Sequence, residues 1–223
     1  MAVLTWDGTG ERYYHLGVSK GVLYVQKSDG TYENGVAWNG LTGVDESPDG
    51  GDANDLWADN IKYGSLRSVE NHKGSISAYQ YPDEFNACDG KFVTESGIVI
   101  GQQKRTSFGF CYRTEVGNDT GTGSDDGYIL HIVWNAMVNP SDKSFETIND
   151  NPDAIEFDWD YECVPVTMTA VEGVTHVSSI ELPSLKLGKA KMTAAEDLLY
   201  GTATKEPTLP TPDALIAAIN AAT

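Results

Sequence analysis

The sequence predicts a mainly β protein: a two-sheet β-sandwich or barrel, with a short flanking helix and a C-terminal helical tail. Three observations predict it. Residues Ala154–Pro165 alternate without a fault, with Ile155, Phe157, Trp159, Tyr161 and Cys163 on one side and Glu156, Asp158, Asp160 and Glu162 on the other. Strict period two in bulky β-formers is the mark of a strand with one buried face. Tyr128–Val138 is apolar at both parities, as expected of a central strand covered on both sides. Beyond residue 190 the period changes from two to that of short helices, broken by a Pro-rich linker. The domain reading is therefore a β-sandwich over 1–190, carrying a long acidic loop at 45–60, followed by 191–223 as helix, linker and terminal short helix.

In chain order, residues 1–20 read as irregular, with Gly8, Gly10 and Gly17 as breakers. Gly21–Lys27 is a strand, Ser28-Asp29-Gly30 its turn, and Gly35–Val44 a second strand weakened by glycines. Asp45–Asn60 holds six acids and no base, with Pro48, Gly50 and Gly51 expected at its tip. It reads as a long exposed loop or an extended hairpin, a length of segment that is usually functional. Leu56 and Trp57 on such an arm point to a partner surface, unless Trp57 folds back onto the core. Ile61–Val69 and Ser75–Tyr81 are further strands. Pro82–Cys88 is a short helix, with Pro82 at its first position, Asp83 and Glu84 in its first turn and Gly90 beyond its end. Thr106–Thr114 alternates Phe108, Phe110 and Tyr112 on one face. Glu115–Gly127 is polar and Gly-rich, a flexible loop. Val177–Leu182 is an edge strand. Thr193–Tyr200 is a helix, with Thr193 and Glu196 as a capping box and Gly201 as its stop. Thr202–Thr211 is the linker. Thr211-Pro212-Asp213 opens the last helix, whose stripe of Leu215, Ile216 and Ile219 has to dock on its own domain or on a neighbour.

Bulk properties exclude several classes. At 223 residues and 40% hydrophobic, the chain can build a core without disulfides. The net charge of −18 argues against binding nucleic acid through phosphates and against attraction to anionic membranes. Cys88, Cys111 and Cys163 are widely spaced, which reads as buried thiols in a reducing compartment, with Cys163 in the core. The N-terminal residues lack the signal-peptide pattern, and no apolar run is long enough for a transmembrane helix; folding in a cytoplasm is the expectation.

No catalytic motif survives inspection, and no metal or cofactor site is expected. Gly17–Gly21 matches G-x-S-x-G, but a strand follows the serine where that chemistry needs a helix. His15, His72, His131 and His176 are dispersed, and His131 reads as a satisfied residue of the central strand. Residues 119–127 have calcium-loop composition with Gly121 and Gly123 at ligand positions. Asp158 and Asp160, about 7 Å apart on one strand face, cannot easily reach one ion. What remains is a row of four carboxylates about 20 Å long. No Lys or Arg lies between Lys143 and Lys186 to neutralise it. Such a wall repels a polyanion such as DNA, whose charges lie about 1.7 Å apart.

Several segments together resemble the major tail proteins of long-tailed, non-contractile bacteriophages of Gram-positive hosts. They are TWDGTGERYY, GVAWNGLTGV, LWADNIKYGSL, AYQYPDEFNACDG, IGQQKRTSFGFCYRTEVGND, GYILHIVWNAMVNPS, TINDNPDAIEFDW and EDLLYGTATKEPTLPTPDALIAAI, in order from Trp6 to Ile219. The resemblance implies a tail-tube fold, without catalytic residues. It implies hexameric rings stacked into a tube, assembled in the host cytoplasm and carried in the virion tail. Tape-measure, tail-tip and tail-terminator proteins are the implied partners, with DNA passing through unbound and no membrane binding by the subunit. No short motif marks the lumen, so the assignment of Glu156, Asp158, Asp160 and Glu162 to it rests on their charge. Asp45, Glu46, Asp49, Asp52, Asp55, Leu56 and Trp57 form the candidate intersubunit or inter-ring arm. The 202–221 tail, through Leu215, Ile216 and Ile219, is a second candidate contact. Two rival readings use the same residues: a β-barrel pore with a polar lumen, and a glycan-binding β-sandwich with Trp38, Trp57 or Trp134 as stacking platforms.

Overall fold

The computed structural model describes residues 3–121, 127–148 and 153–222. Its strands are β1 (Tyr13–Val25), β2 (Val36–Trp38), β3 (Leu41–Glu46), β4 (Asp49–Gly50), β5 (Ala53–Ala58), β6 (Ile61–Arg67), β7 (Glu70–Asn71), β8 (Lys73–Ala78), β9 (Phe92–Val93), β10 (Val99–Ile100), β11 (Phe108–Asn118), β12 (Gly127–Val138), β13 (Phe157–Cys163), β14 (Val166–Thr167), β15 (His176–Val177) and β16 (Ser179–Pro183). Its helices are α1 (Phe85–Cys88), α2 (Ser184–Leu187), α3 (Lys189–Leu199) and α4 (Pro212–Ala221). The fold is mainly β, as expected.

One eight-stranded sheet organises the chain, in the order β2-β1-β11-β12-β13-β8-β3, with β16 also paired to β12. Every pairing in it is antiparallel. Strand β12 is central, and it forks. Ile129–Val133 pairs with β16, and Ala136–Val138 pairs with β13. Between the two stretches Asn135 takes φ 51°, a bulge that bends the strand and hands its edge from one partner to the other. The two ends of the sheet, β2 and β3, are joined by Asn39 and Gly40 alone. Gly40 has φ +75°, and its carbonyl accepts from Tyr79 N–H at 2.8 Å. The sheet is therefore curled into a nearly closed barrel.

Alternation along the strands separates two cores. Leu23, Trp38, Ile76, Phe108, Phe110, Tyr112, Trp159 and Tyr161 fill the inside of the curl. Helix α1 plugs it with Phe85, whose ring lies 4.6 Å from Trp38 and 5.1 Å from Trp159, both tilted or edge-on. Val22, Tyr24, Cys111, Leu130, Ile132 and Trp134 face the other way, against Met192, Ala195 and Leu199 of α3 and Leu215 and Ile219 of α4. The tail thus docks on its own domain. Trp134 Nε1 donates to Pro210 O at 2.9 Å, and Thr208 N donates to Leu198 O at 2.8 Å.

Several sequence expectations need correction. The strand expected at 21–27 starts at Tyr13, because bulges on either side of Ser19 absorb Gly17 at φ +48° and Lys20 at φ 52°. The strand expected over 35–44 is two strands on opposite edges of the sheet, divided by the turn at Gly40. Helix α1 begins at Phe85, so Pro82, Asp83 and Glu84 precede it. Helix α3 begins at Lys189, which places Thr193 inside it and makes Gly188 its N-cap; the capping box does not form. Residues 115–118, expected in a loop, extend β11, whereas 122–126 lie outside the described residues. Strand β13 begins at Phe157, leaving Ile155 and Glu156 before it. Thr211 does cap α4, accepting from Ala214 N at 3.3 Å.

Candidate functional site

Alternation in β13 places Trp159, Tyr161 and Cys163 in the core and turns Asp158, Asp160 and Glu162 outward. The register of the neighbouring strands widens this row into a face. Asp158 lies opposite Ser77, Asp160 opposite Ser75 and Glu162 opposite Lys73. One strand further, Gly43 lies opposite Ser77 and Asp45 opposite Ser75. Asp158 accepts from Ser77 Oγ at 3.2 Å, and Glu156, just before the strand, accepts from Thr42 Oγ1. The result is an outer surface of carboxylates and serine hydroxyls across β3, β8 and β13.

The row is not without a cation, as the spacing of Lys143 and Lys186 had suggested. Lys73 Nζ lies 3.9 Å from Glu162 and 2.9 Å from Asp49. Its bond to Asp49 holds that carboxyl below its ordinary range and raises the Lys73 ammonium above its own. Lys73 therefore ties the acidic face to the root of the arm.

The arm is the extended hairpin of the two expected forms, and it runs further than residue 60. Strands β4 and β7 form its root and β5 and β6 its shaft. The tip is not at Pro48, Gly50 and Gly51, which lie at the root beside β7: Asp59 at φ 51° and Asn60 at φ 63° make the two-residue turn, where left-handed backbone suits the twist of a hairpin. Register puts Asn54 opposite Leu66, Leu56 opposite Gly64 and Ala58 opposite Ile61, giving one largely apolar face. Asp55, Trp57, Lys62 and Ser65 share the other, where Lys62 Nζ meets Asp55 at 2.7 Å. The register shift between Leu56 and Trp57 leaves Tyr63 as the extra residue. Trp57 is 69% exposed, so it does not fold back onto the core.

Asp45 and Glu46 belong to the barrel and not to the free arm, since both are paired in β3 with β8. Glu46 accepts from Tyr112 Oη at 2.7 Å, and the Tyr112 ring stacks on His131 at 4.5 Å. Burial, partly offset by Glu181 and Glu46, holds the His131 imidazole below its usual pKa. In the tail, Leu215 and Ile219 are buried and Ile216 is half-buried, all within the chain. Among the described residues no group of three His, Cys, Asp or Glu is placed to hold a metal ion, and no helix is long and apolar enough to cross a membrane.

Sequence reasoning missed the partners of the row and half of the arm. Ser75, Ser77 and Lys73 alternate with Gly74 and Ile76, a period-two signal that was readable; that they lie beside β13 was not. Ile61 and Leu66 were read as an independent strand, though Asp59-Asn60 are residue types that tolerate the left-handed backbone of a two-residue turn.

No protein-family model matches the chain, and no curated protein does. Two solved structures resemble it in part. One is the sheath/tube terminator of an extracellular contractile injection system, PVC, in its extended state; it is 13% identical, with 76% of this chain and 97% of that one covered and a TM-score of 0.35. The other is the sheath–tube complex of the same kind of system in its extended state; it is 12% identical, with 74% and 88% covered and a TM-score of 0.30.

Proposed function

We propose that this chain is a structural subunit of a phage-type tail tube, closing into hexameric rings that stack into a conduit for the genome. The observation that carries the reading is the β3–β8–β13 face together with the hairpin that rises beside it. A barrel whose outer wall bears Asp45, Asp158, Asp160 and Glu162 among serines suits the lining of a channel that DNA must traverse without sticking. An exposed arm with an apolar face suits a contact between subunits or rings. The sheet still has open edges at β2 and β3, and pairing between copies would remove that hazard. The resemblance of segments from Trp6 to Ile219 to major tail proteins points the same way.

In this reading Glu156, Asp158, Asp160 and Glu162 face the lumen, and residues 49–69 reach a neighbouring subunit or ring. Tape-measure protein fills the bore during assembly, and tail-tip and terminator proteins bound the tube. The subunit does no chemistry. The test is negative-stain electron microscopy of the purified chain over a range of concentration and salt. Hollow tubes or rings of uniform width are expected, favoured by moderate salt, since subunits near −18 repel one another and the Debye length falls to about 8 Å at physiological strength. Particles that stay monomeric even with tail-tip extract added would sink the proposal. Replacing the four acids of the row by Lys should leave tubes intact and slow DNA exit; loss of rings would instead move the row to an interface.

A further inference from the structure

A second hairpin projects from the barrel, and its character is opposite to that of the acidic arm. Strands β9 and β10 pair Phe92 with Ile100 and Val93 with Val99. Phe92, Val93, Ile98, Val99 and Ile100 are between 41% and 61% exposed, so the two-stranded ribbon is apolar on both faces, Phe92 with Ile100 on one and Val93 with Val99 on the other. Lys91 precedes it, and Lys104 and Arg105 follow it.

Beside this ribbon lies an excess of positive charge. Lys91 Nζ and Lys143 Nζ both contact Oδ2 of Asp89, at 2.8 and 2.6 Å, and Arg105 Nη1 lies 3.6 Å from Oδ1. Among the described residues no other carboxylate lies within ion-pair distance of these three cations. The group is set against an apolar wall, with Lys143 Nζ 5.6 Å from the Tyr81 and Trp159 ring centroids and 5.8 Å from that of Phe157. Three cations share one buried carboxylate, in a chain whose net charge is −18. A second carboxylate would relieve their mutual repulsion.

The arm supplies the complement. Two of its acids already have cations: Asp49 has Lys73 and Asp55 has Lys62. Asp52 and Asp59 have none among the described residues, and Asp59 sits in the turn at the tip. Leu56, Ala58, Ile61 and Leu66 offer an apolar face on an antiparallel two-stranded ribbon. From Asp49 to Asp59 the arm spans about 30 Å at strand rise, enough to leave its own domain. Both ribbons are open in the single chain, with Trp57 and Phe92 69% and 59% exposed.

We propose that the β9–β10 ribbon, with the Lys91–Arg105–Lys143 cluster beside it, is the docking surface for the acidic β5–β6 arm of a second copy of this chain. This rests on the reading of the arm as an intersubunit element and names where it lands. The contact is heterologous, since arm and acceptor are different surfaces, so it propagates from copy to copy.

The test mixes isotopically heavy and light full-length chain at high concentration and applies a zero-length carbodiimide cross-linker, which joins carboxylates to lysine amines. Heavy–light cross-links from Asp52 or Asp59 to Lys91, Lys104 or Lys143 are expected. Lys104 lies outside the partly exposed Lys91–Arg105–Lys143 cluster, on an exposed side chain, so Lys104→Glu should leave thermal unfolding of the monomer unchanged. It should weaken association about three- to tenfold, and mixing it with Asp59→Lys chain should restore it. Tubes or rings whose cross-links join other segments would overturn the docking surface and leave the tube-subunit reading standing. Cross-linked pairs of the expected kind that never grow into rings would support the surface and sink the tube. A chain that remains monomeric and uncross-linked at every concentration would overturn both.

Discussion

Gly109, the second residue of β11, leaves a slot for Leu209 of the linker. A Cβ added at Gly109 would lie 2.0 Å from Leu209 Cδ2, 3.2 Å from Tyr32 Cε1 and 3.3 Å from the Val133 carbonyl oxygen. The carbonyl belongs to the paired strand and cannot retreat, so Leu209 has to give way. Leu209 is buried, and the linker around it is pinned by Trp134 Nε1 to Pro210 O and by Gly35 N to Pro207 O at 2.8 Å. Gly109→Ala should therefore expel a leucine side chain at a cost of about 1.5–3 kcal/mol. A gain of about 0.4–1 kcal/mol from a stiffer unfolded chain offsets part of it. Leu209→Ala empties the slot and should cost about 2–5 kcal/mol. In the double variant the new methyl occupies space that Leu209 has vacated. The steric cost disappears while the unfolded-chain gain remains, so the double variant should cost slightly less than Leu209→Ala alone, a coupling of about 1.5–3 kcal/mol. Urea unfolding followed by tryptophan fluorescence measures all three, and if Gly109→Ala does not fold, the other two still give the comparison with wild type. Additivity within about 0.5 kcal/mol would refute the reasoning. So would costs that change with protein concentration, since a tail docked in its own chain stabilises unimolecularly.

Three further outcomes follow from the same packing. Thr211→Ala removes the N-cap of α4 and should lower stability by about 1 kcal/mol, read as a shift in the urea midpoint. The Asp213 carboxyl is held below its ordinary range by the Thr169 hydroxyl and by the Thr169 and Ala170 N–H groups. A depressed folded pKa stabilises above the unfolded value of about 3.9 and is lost as pH falls through the folded one, so melting temperature should drop in that window, less steeply in Asp213→Asn. Burial pushes the Cys88, Cys111 and Cys163 thiols up to about 12, so a thiol reagent at neutral pH should label none of them in the native chain and all three on unfolding; fast native labelling would mean that the core opens locally.

Local patterns were legible wherever one residue's neighbours in sequence decide its fate. The alternation at 157–163, the apolar double parity of β12 and the Thr211-Pro212 helix start all read directly from spacing. Features decided by backbone strain were harder. Lys20 and Asn135 adopt positive φ without being glycines, which hid the length of β1 and the fork of β12. The start of α3 at Lys189 was hidden because its cap is Gly188 and no Ser, Thr, Asp or Asn marks it.

The sequence by itself determined the mainly β fold class, the inward and outward faces of β13, the acidic row and the docking stripe of the tail. Those depend on periodicity, and periodicity is local. Only the tertiary structure decided that Lys73 stands beside Glu162, that Asn39-Gly40 joins the two ends of one curled sheet, and that Ile61 and Leu66 complete the arm. It alone gathered Lys91, Arg105 and Lys143 around Asp89 from three separate stretches of chain. Antiparallel register brings together residues dozens of positions apart, and no local pattern encodes which strand will be the neighbour.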